Sequence, residues 1–398
     1  MLTRNFSILI CGVFLLMTSC SRNNVSSVAR GDLWSMNIGR LEDEIDLYYI
    51  EGRRNLSKTA ITMRGGFFYI SNGNGQKIVR YNSFSDLLFM IYNEETNPPP
   101  ITLRNRSESE SVTRWSYPWP LRDPGSIAVN SKRNIYVEDK IPSERHIYDS
   151  ENKALQDSVV LHFDPNGRFL EYLGQEGPGG RPFPKIDSIR TSVDDEIAVI
   201  CHLPKSWNVY WFNSRGELLY LIPFRIDSLY QPEGRFGIFP SLDSITIAPD
   251  SRKILLKVDY YREVLDETTN TIAGREPDSS YIWAVNPETG ECLNSVMLPF
   301  FESVSIANNK KITEKLFYSM FGAMNGDRVM LYFPVEGGYA ILILPLGDTG
   351  SQRKGLINVS PEELQFCTFD VSPEGILSAL LSTNYEARVV WWRTDKLL

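Results

Sequence analysis

The sequence predicts an all-β fold, a β-propeller of four-stranded blades, and three observations carry that prediction. Beyond the first twenty residues no stretch keeps the helical apolar period of 3.6 residues. Short runs rich in Val, Ile, Tyr, Phe and Trp recur instead, broken by Gly, Asn, Asp and Pro. Tight-turn sequences separate those runs: Asn72-Gly73-Asn74-Gly75, Asp164-Pro165-Asn166-Gly167, Asn213-Ser214-Arg215-Gly216 and Asn286-Pro287-Glu288-Thr289-Gly290. Each supplies the residue with positive φ that a hairpin of this kind needs.

The first nineteen residues are a different polymer from the rest. Arg4 precedes an apolar run from Phe6 to Met17 that only Ser7 and Gly12 interrupt, and a polar stretch follows from Ser21 to Ser27. A charged start, a short apolar run and small residues before a cut read as a secretory signal. The run is shorter than the ~20 apolar residues of a transmembrane helix. Leu16-Met17-Thr18-Ser19-Cys20 resembles the lipobox of bacterial lipoproteins, with Met17 in place of the usual Leu. The resemblance implies cleavage before Cys20, which would carry a thioether-linked diacylglycerol and an acylated amine. Several acyl chains anchor far more firmly than one. Residues 1–19 are therefore expected to be a signal peptide, 20–31 a lipidated tether, and 32–398 one propeller domain.

The segment from Asp32 to Gly39 reads as an outermost strand with no blade of its own. Six units follow, and a seventh blade would require splitting the long fourth. The first holds Gly66–Ser71, Lys77–Asn82 and Leu87–Ile91. The second runs from Ser126 to Leu173, the third from Ile186 to Leu221, and the fourth from Asp243 to Leu298. A degenerate fifth spans 316–346, and a sixth spans 364–394. The sixth stops after its third strand, Arg388–Arg393, so pairing it with Asp32–Gly39 would close the ring and remove an exposed edge. Insertions interrupt the pattern at 94–122, 138–157, 225–241, 259–280 and 300–315. Loops of this length are usually functional or mobile.

Between the second and third units lies the most specific stretch of the body. Gly174, Gly177, Gly179 and Gly180 are followed by Phe183, Ile186 and Ile189. This resembles the inter-blade signature of NHL repeats, and Asp123-Pro124-Gly125-Ser126-Ile127-Ala128-Val129-Asn130 is similar to the opening of the same repeat. The match covers about 125–224. Together with the lipobox it implies an NHL-type six-bladed propeller lipoprotein, similar to those of spirochaete-like and other diderm bacteria.

Composition bounds the chemistry. A net charge of -8 and the absence of any basic stripe argue against nucleic acid as a partner. The three histidines, His146, His162 and His202, stand far apart, with no H-x-x-x-H spacing for a metal. Asp194-Asp195-Glu196 is the densest acidic run and is expected in a solvated turn. No G-x-S-x-G occurs, and no serine has an evident histidine partner. Cys201, Cys292 and Cys367 stand alone in strand-like text and read as small core residues. No catalytic, metal or cofactor site is assigned from the sequence.

What remains is recognition. Trp115, Tyr117 and Trp119, spaced by Ser116 and Pro118 in the 94–122 insertion, offer the rigid aromatic area found in binding hot spots. The same rings could instead pack beneath a propeller face as a lid. Trp207, Tyr260 and Tyr261 read as structural. The sequence thus points to a non-enzymatic binding or scaffolding module for a protein or cell-envelope component. It would be exported and lipid-anchored to the envelope, at the outer membrane rather than the inner. The alternative is a lactonase- or lyase-like propeller enzyme acting on a carbohydrate or lactone through an axial metal.

Overall fold

The computed structural model describes residues 26–47, 57–105, 114–173, 181–266, 269, 271–307, 310–347 and 350–398. Six four-stranded antiparallel blades form a ring. From the axis outward, blade 1 comprises Thr59–Arg64, Phe67–Asn72, Lys77–Asn82 and Leu87–Tyr92. Blade 2 comprises Ile127–Val129, Ile135–Lys140, Ser158–Phe163 and Phe169–Tyr172. Blade 3 comprises Ile186–Thr191, Ile197–His202, Ser206–Phe212 and Leu218–Arg225. Blade 4 is the tallest, with Ile238–Ile247, Ile254–Leu265, Ile272–Val285 and Cys292–Leu298. Blade 5 holds Ser319–Met324, Arg328–Val335, Gly338–Pro345 and Arg353–Asn358. It is regular, not degenerate, and extends past the expected limit at 346. Blade 6 combines Phe366–Val371, Leu377–Ser382 and Glu386–Trp392 with the N-terminal strand Arg30–Asn37.

The expected closure is therefore present. Arg30 pairs with Trp392 and Asn37 with Glu386 in antiparallel register. Arg30 also places its guanidinium on both carboxylate oxygens of Glu363, at 2.6 Å each, and so fastens the strand to the approach of blade 6. Just before it, Ser26–Ser27 adds in parallel to Arg353–Asn358 of blade 5. Residues 1–25, including the expected signal and Cys20, lie outside the described residues.

Middle strands are apolar at nearly every position because both faces are covered. All six residues of Ser158–Phe163 and of Leu377–Ser382 are buried. Outer strands alternate, as Leu218–Arg225 does in its upper half. Buried side chains gather into six clusters, one at each interface between neighbouring blades. The core is thus a ring of six wedges.

All innermost strands enter the axis from one end. Lys58, Ser126, Asp187 and Phe366, at or just before their starts, line one axial mouth. Arg64, Ser131, Asp194, Asn325 and Glu374, at or beyond their ends, line the other. Call these the entry and exit faces. In a four-stranded meander the links from second to third strand, and from outermost strand to the next blade, then fall on the entry face. All five insertions sit in such links. Two of them carry hairpins, Ile147–Asp149 with Ala154–Gln156 and Phe301–Ala307 with Lys310–Leu316. A third is the elongated tip of Ile254–Leu265 and Ile272–Val285. The chain leading into Arg30 approaches from the exit face.

The axis between the mouths is nearly filled. Ile127, Val129, Ile189, Ile247, Phe321 and Val371 line a space of about 50 Å³, room for only a few water molecules. Across it, Arg190 of blade 3 reaches Asp370 of the opposite blade 6 at 3.3 Å. Thr62 of blade 1 donates its hydroxyl to the same carboxylate at 2.8 Å. Burial pushes the Asp370 carboxyl up, and Arg190 and Thr62 pull it back. Removing one partner of a buried pair strands the other charge, so Arg190→Leu should cost roughly 2–4 kcal/mol in denaturant titration. Arg190→Leu combined with Asp370→Leu should recover most of that loss. An equal loss in both variants would show that the pair is not what stabilises the axis.

Candidate functional site

The entry face carries a polar mouth and, beside it, a larger cleft. The mouth, about 370 Å³, is rimmed by hydroxyls of Ser57, Thr59, Ser126, Ser188 and Thr368. The cleft, about 670 Å³, opens between blades 2 and 3 and is walled by the hairpin insertion of blade 2. Lys58 lines both, so the two spaces share one wall at the foot of blade 1. This volume falls in the range of small-ligand sites.

Second-strand residues of blade 2 set the electrostatics. Ile135–Lys140 is buried through Asp139, and towards the entry face the sequence turns to Glu138-Asp139-Lys140. Lys58 donates to both Glu138 oxygens, at 3.0 and 2.7 Å, and to the Ile186 carbonyl at 2.5 Å. One lysine thereby links blades 1, 2 and 3. Lys140 pairs with Asp157 at 2.7 Å and donates to Ser158 at 2.8 Å. Lys153 and Lys185 bring two further cations to the wall, and His202 stacks on the buried Trp207 with ring centroids 4.4 Å apart. Burial, then Lys185, holds the His202 imidazole below its ordinary range. Asp139 lies beneath this layer and accepts the backbone N–H of Asp123 at 2.7 Å and of Arg122 at 3.0 Å. The site offers fixed polar groups and paired charges. Among the described residues no three of His, Cys, Asp and Glu come together as metal ligands.

The aromatic candidates lie elsewhere. Trp115–Pro118 is a strand, not a loop, and adds in parallel outside Leu87–Tyr92 of blade 1. Trp115 stacks on Phe89 at 6.1 Å and donates its indole N–H to the Asn166 carbonyl at 2.6 Å. Trp119 stacks on Phe169 at 4.1 Å. Trp115, Tyr117 and Trp119 are half-buried and pack on the wedge between blades 1 and 2. Trp207 and Tyr260 are buried, as a structural role requires. Asp164 is a turn residue, accepting the N–H groups of Asn166 and Arg168.

Two readings of the sequence are corrected. Asp195 and Glu196 are buried, not solvated. Asp195 accepts the N–H and hydroxyl of Ser131 from blade 2, and Glu196 accepts Trp211 Nε1 and the Arg252 guanidinium of blade 4. Acids that tie three blades together can be buried because their partners come with them. Of the three body cysteines only Cys201 is a core residue; Cys292 and Cys367 are exposed. Conversely, Lys58, Glu138, Lys140 and Asp157 were not singled out from the sequence. The available signal was three consecutive charged residues ending an otherwise apolar strand.

No family model and no curated protein matches the chain. Solved structures resemble it at low identity. The β-propeller domain of the trilobed protease from Pyrococcus furiosus is 11% identical over 85% of this chain and 95% of that one, with a TM-score of 0.40. A putative oxidoreductase (glucose dehydrogenase) from Thermus thermophilus is 12% identical, covering 92% and 99%, with a TM-score of 0.39. A protein of unknown function from Bacteroides caccae is 12% identical, covering 80% and 83%, with a TM-score of 0.35. Likeness this distant carries no functional inference.

Burial pushes the Asp139 carboxyl up to about 7, against the pull of the backbone N–H groups around it. The folded state therefore holds that proton to a higher pH than the unfolded chain, and stability falls as pH rises from about 4 towards 7. Asp139→Asn should flatten this part of the pH–stability curve, with a gain at pH 8 on the order of a few kcal/mol. An unchanged slope in the variant would assign the raised carboxyl to another residue.

Proposed function

We propose that this chain is an exported, lipid-anchored propeller of the NHL type, close to the spirochaete-like lipoproteins, that binds or scaffolds a protein or envelope component without catalysis. The observation that carries the reading is the division of labour between the two faces. The N-terminal strand starts at the exit end of the last blade, with Arg30 opposite Trp392, while the hairpin insertions of blades 2 and 4 and the hairpin before blade 5 lie in links at the entry face. The 94–122 insertion instead folds back along the flank of blade 1. With a lipid on Cys20, residues 20–25 span at most about 20 Å. The exit face would then lie against the bilayer, the outer membrane rather than the inner, and the entry face would point away from it.

That presented face has the character of a recognition surface. Its insertions hold apolar side chains out in solvent: Tyr148, Phe236, Leu265, Ile272 and Val304, with Phe236 93% exposed. Leu265 and Ile272 stand opposite one another, and exposed apolar residues on one face favour a partner site there. The polar cleft by Lys58 opens on the same face, walled by Ala154 and Leu155 of the hairpin that carries Tyr148, and supplies orientation. Trp115, Tyr117 and Trp119 contribute from the flank, where they hold the 94–122 insertion on the body.

Two measurements test this. Cys20→Ser should move the protein from the membrane to the soluble fraction and abolish metabolic labelling by fatty acid; labelling that persists would sink the anchor. In-cell crosslinking should yield a discrete partner with the wild-type protein. A Tyr148→Ser, Phe236→Ser, Ile272→Ser variant should lose it at least tenfold at equal protein level. A partner retained at full yield would remove this face from the interaction.

A further inference from the structure

In blades 2 and 3 the turn between the third and outermost strands leans on the outermost strand of the blade before it. In blade 1 the outermost strand Leu87–Tyr92 receives the Asp164–Gly167 turn of blade 2, with Gly167 close against Phe89 and Ile91. The molecule fills the groove between them with its own chain. Trp115–Pro118 adds as a parallel fifth strand, Trp115 opposite Phe89 and Tyr117 opposite Ile91. The Trp115 indole then bonds the Asn166 carbonyl of the turn. Blade 5 repeats the device with Ser26–Ser27.

Blade 3 has the same groove, and no strand of the described residues fills it. Leu218–Arg225 is an edge strand of eight residues. A groove of about 560 Å³ runs along it, walled by Pro287, Glu288, Thr289 and Gly290 of the next blade's turn and by Ser228, Leu229 and Tyr230 of the following link, with the Tyr230 hydroxyl donating to the Gly290 carbonyl at 2.7 Å. Leu218, Leu219 and Leu221 stand exposed on the strand, Leu221 at 50%. The orientation of its backbone follows from one residue. Pro223 pairs opposite Asn208 and has no N–H, so it cannot occupy a hydrogen-bonded position of that ladder. Its amide nitrogen therefore faces outward. Leu221 and Arg225, two residues to either side, turn their N–H and C=O groups the same way.

We propose that the outer edge of blade 3 accepts an extended segment of a protein partner as a parallel fifth strand. The segment carries alternating aromatic residues, in the manner of Trp115 and Tyr117, so that one ring packs in the groove beside Tyr230, which already holds the Pro287–Gly290 turn. Main-chain bonds give affinity in such additions, and alternate side chains give specificity. This site is on the rim, apart from the entry face, and stands whether or not the chain is lipid-anchored.

The test uses the purified chain and a synthetic peptide with the sequence of residues 114–119. Hydrogen exchange at Leu221 and Arg225 should slow when peptide is added. Leu221→Asp, an exposed position, should weaken binding at least tenfold with the thermal midpoint unchanged. Pro223→Val restores a donor to the edge and should tighten binding roughly two- to tenfold. That gain is expected of strand addition and not of apolar contact alone. No protection at Leu221 and Arg225, or equal affinity in Leu221→Asp, overturns the proposal. So does concentration-dependent self-association that Leu221→Asp abolishes, which would make the occupant a second copy of the chain.

Discussion

Every blade is a sheet with two apolar faces, and neither can be left to water. The six wedges of buried side chains show how the chain meets that constraint: each blade covers its neighbours and is covered by them. Such an arrangement has no natural end. An open row of blades would expose one face of the first and one of the last, together with an unpaired edge. The pairing of Arg30–Asn37 with Glu386–Trp392 resolves both problems at once. It completes blade 6, and Met36 joins the wedge shared with blade 1 alongside Phe68 and Val389.

Closure forces the innermost strands together, and that crowding decides what the axis can do. Apolar side chains such as Ile127, Val129, Ile189, Ile247 and Phe321 fill it, and Arg190 meets Asp370 across the ring. The space left along the axis is small, about 50 Å³. The available volume is displaced to the entry face, where links between strands are free to lengthen. The same geometry puts Lys58 where three blades meet, and one ammonium group there aligns Glu138 and the Ile186 carbonyl. Site and scaffold are thus consequences of the same convergence.

Much of this was legible in the sequence, for a physical reason. Strands buried on both faces appear as uninterrupted apolar runs such as Ile197-Ala198-Val199-Ile200, and glycine-bearing turns mark their ends. Arg30–Asn37 was recognisable because Trp34 and Met36 alternate in a segment that has no companion strands. Outermost strands were harder. Arg353 and Lys354 are exposed and, followed by Gly355, read as a loop, which hid the regularity of blade 5. Asp195 and Glu196 looked like a solvated turn because Ser131 and Arg252, which justify their burial, lie 64 and 56 positions away. The cleft was invisible for the same reason. Lys58 and Glu138 are 80 residues apart, and nothing local announces that they meet.

The closing strand also sets an order of events. Arg30 and its partner Glu363 are 333 positions apart, so the first strand of the body is synthesised long before anything exists for it to join. Until blade 6 arrives, the N-terminal segment and the exposed faces of blades 1 and 5 must be kept from wrong partners. Contacts of such high sequence separation form late and slowly. A ring that locks only with its last segment cannot reach its native state before the whole polypeptide has been made, so any pause in synthesis leaves a row of blades with two open faces.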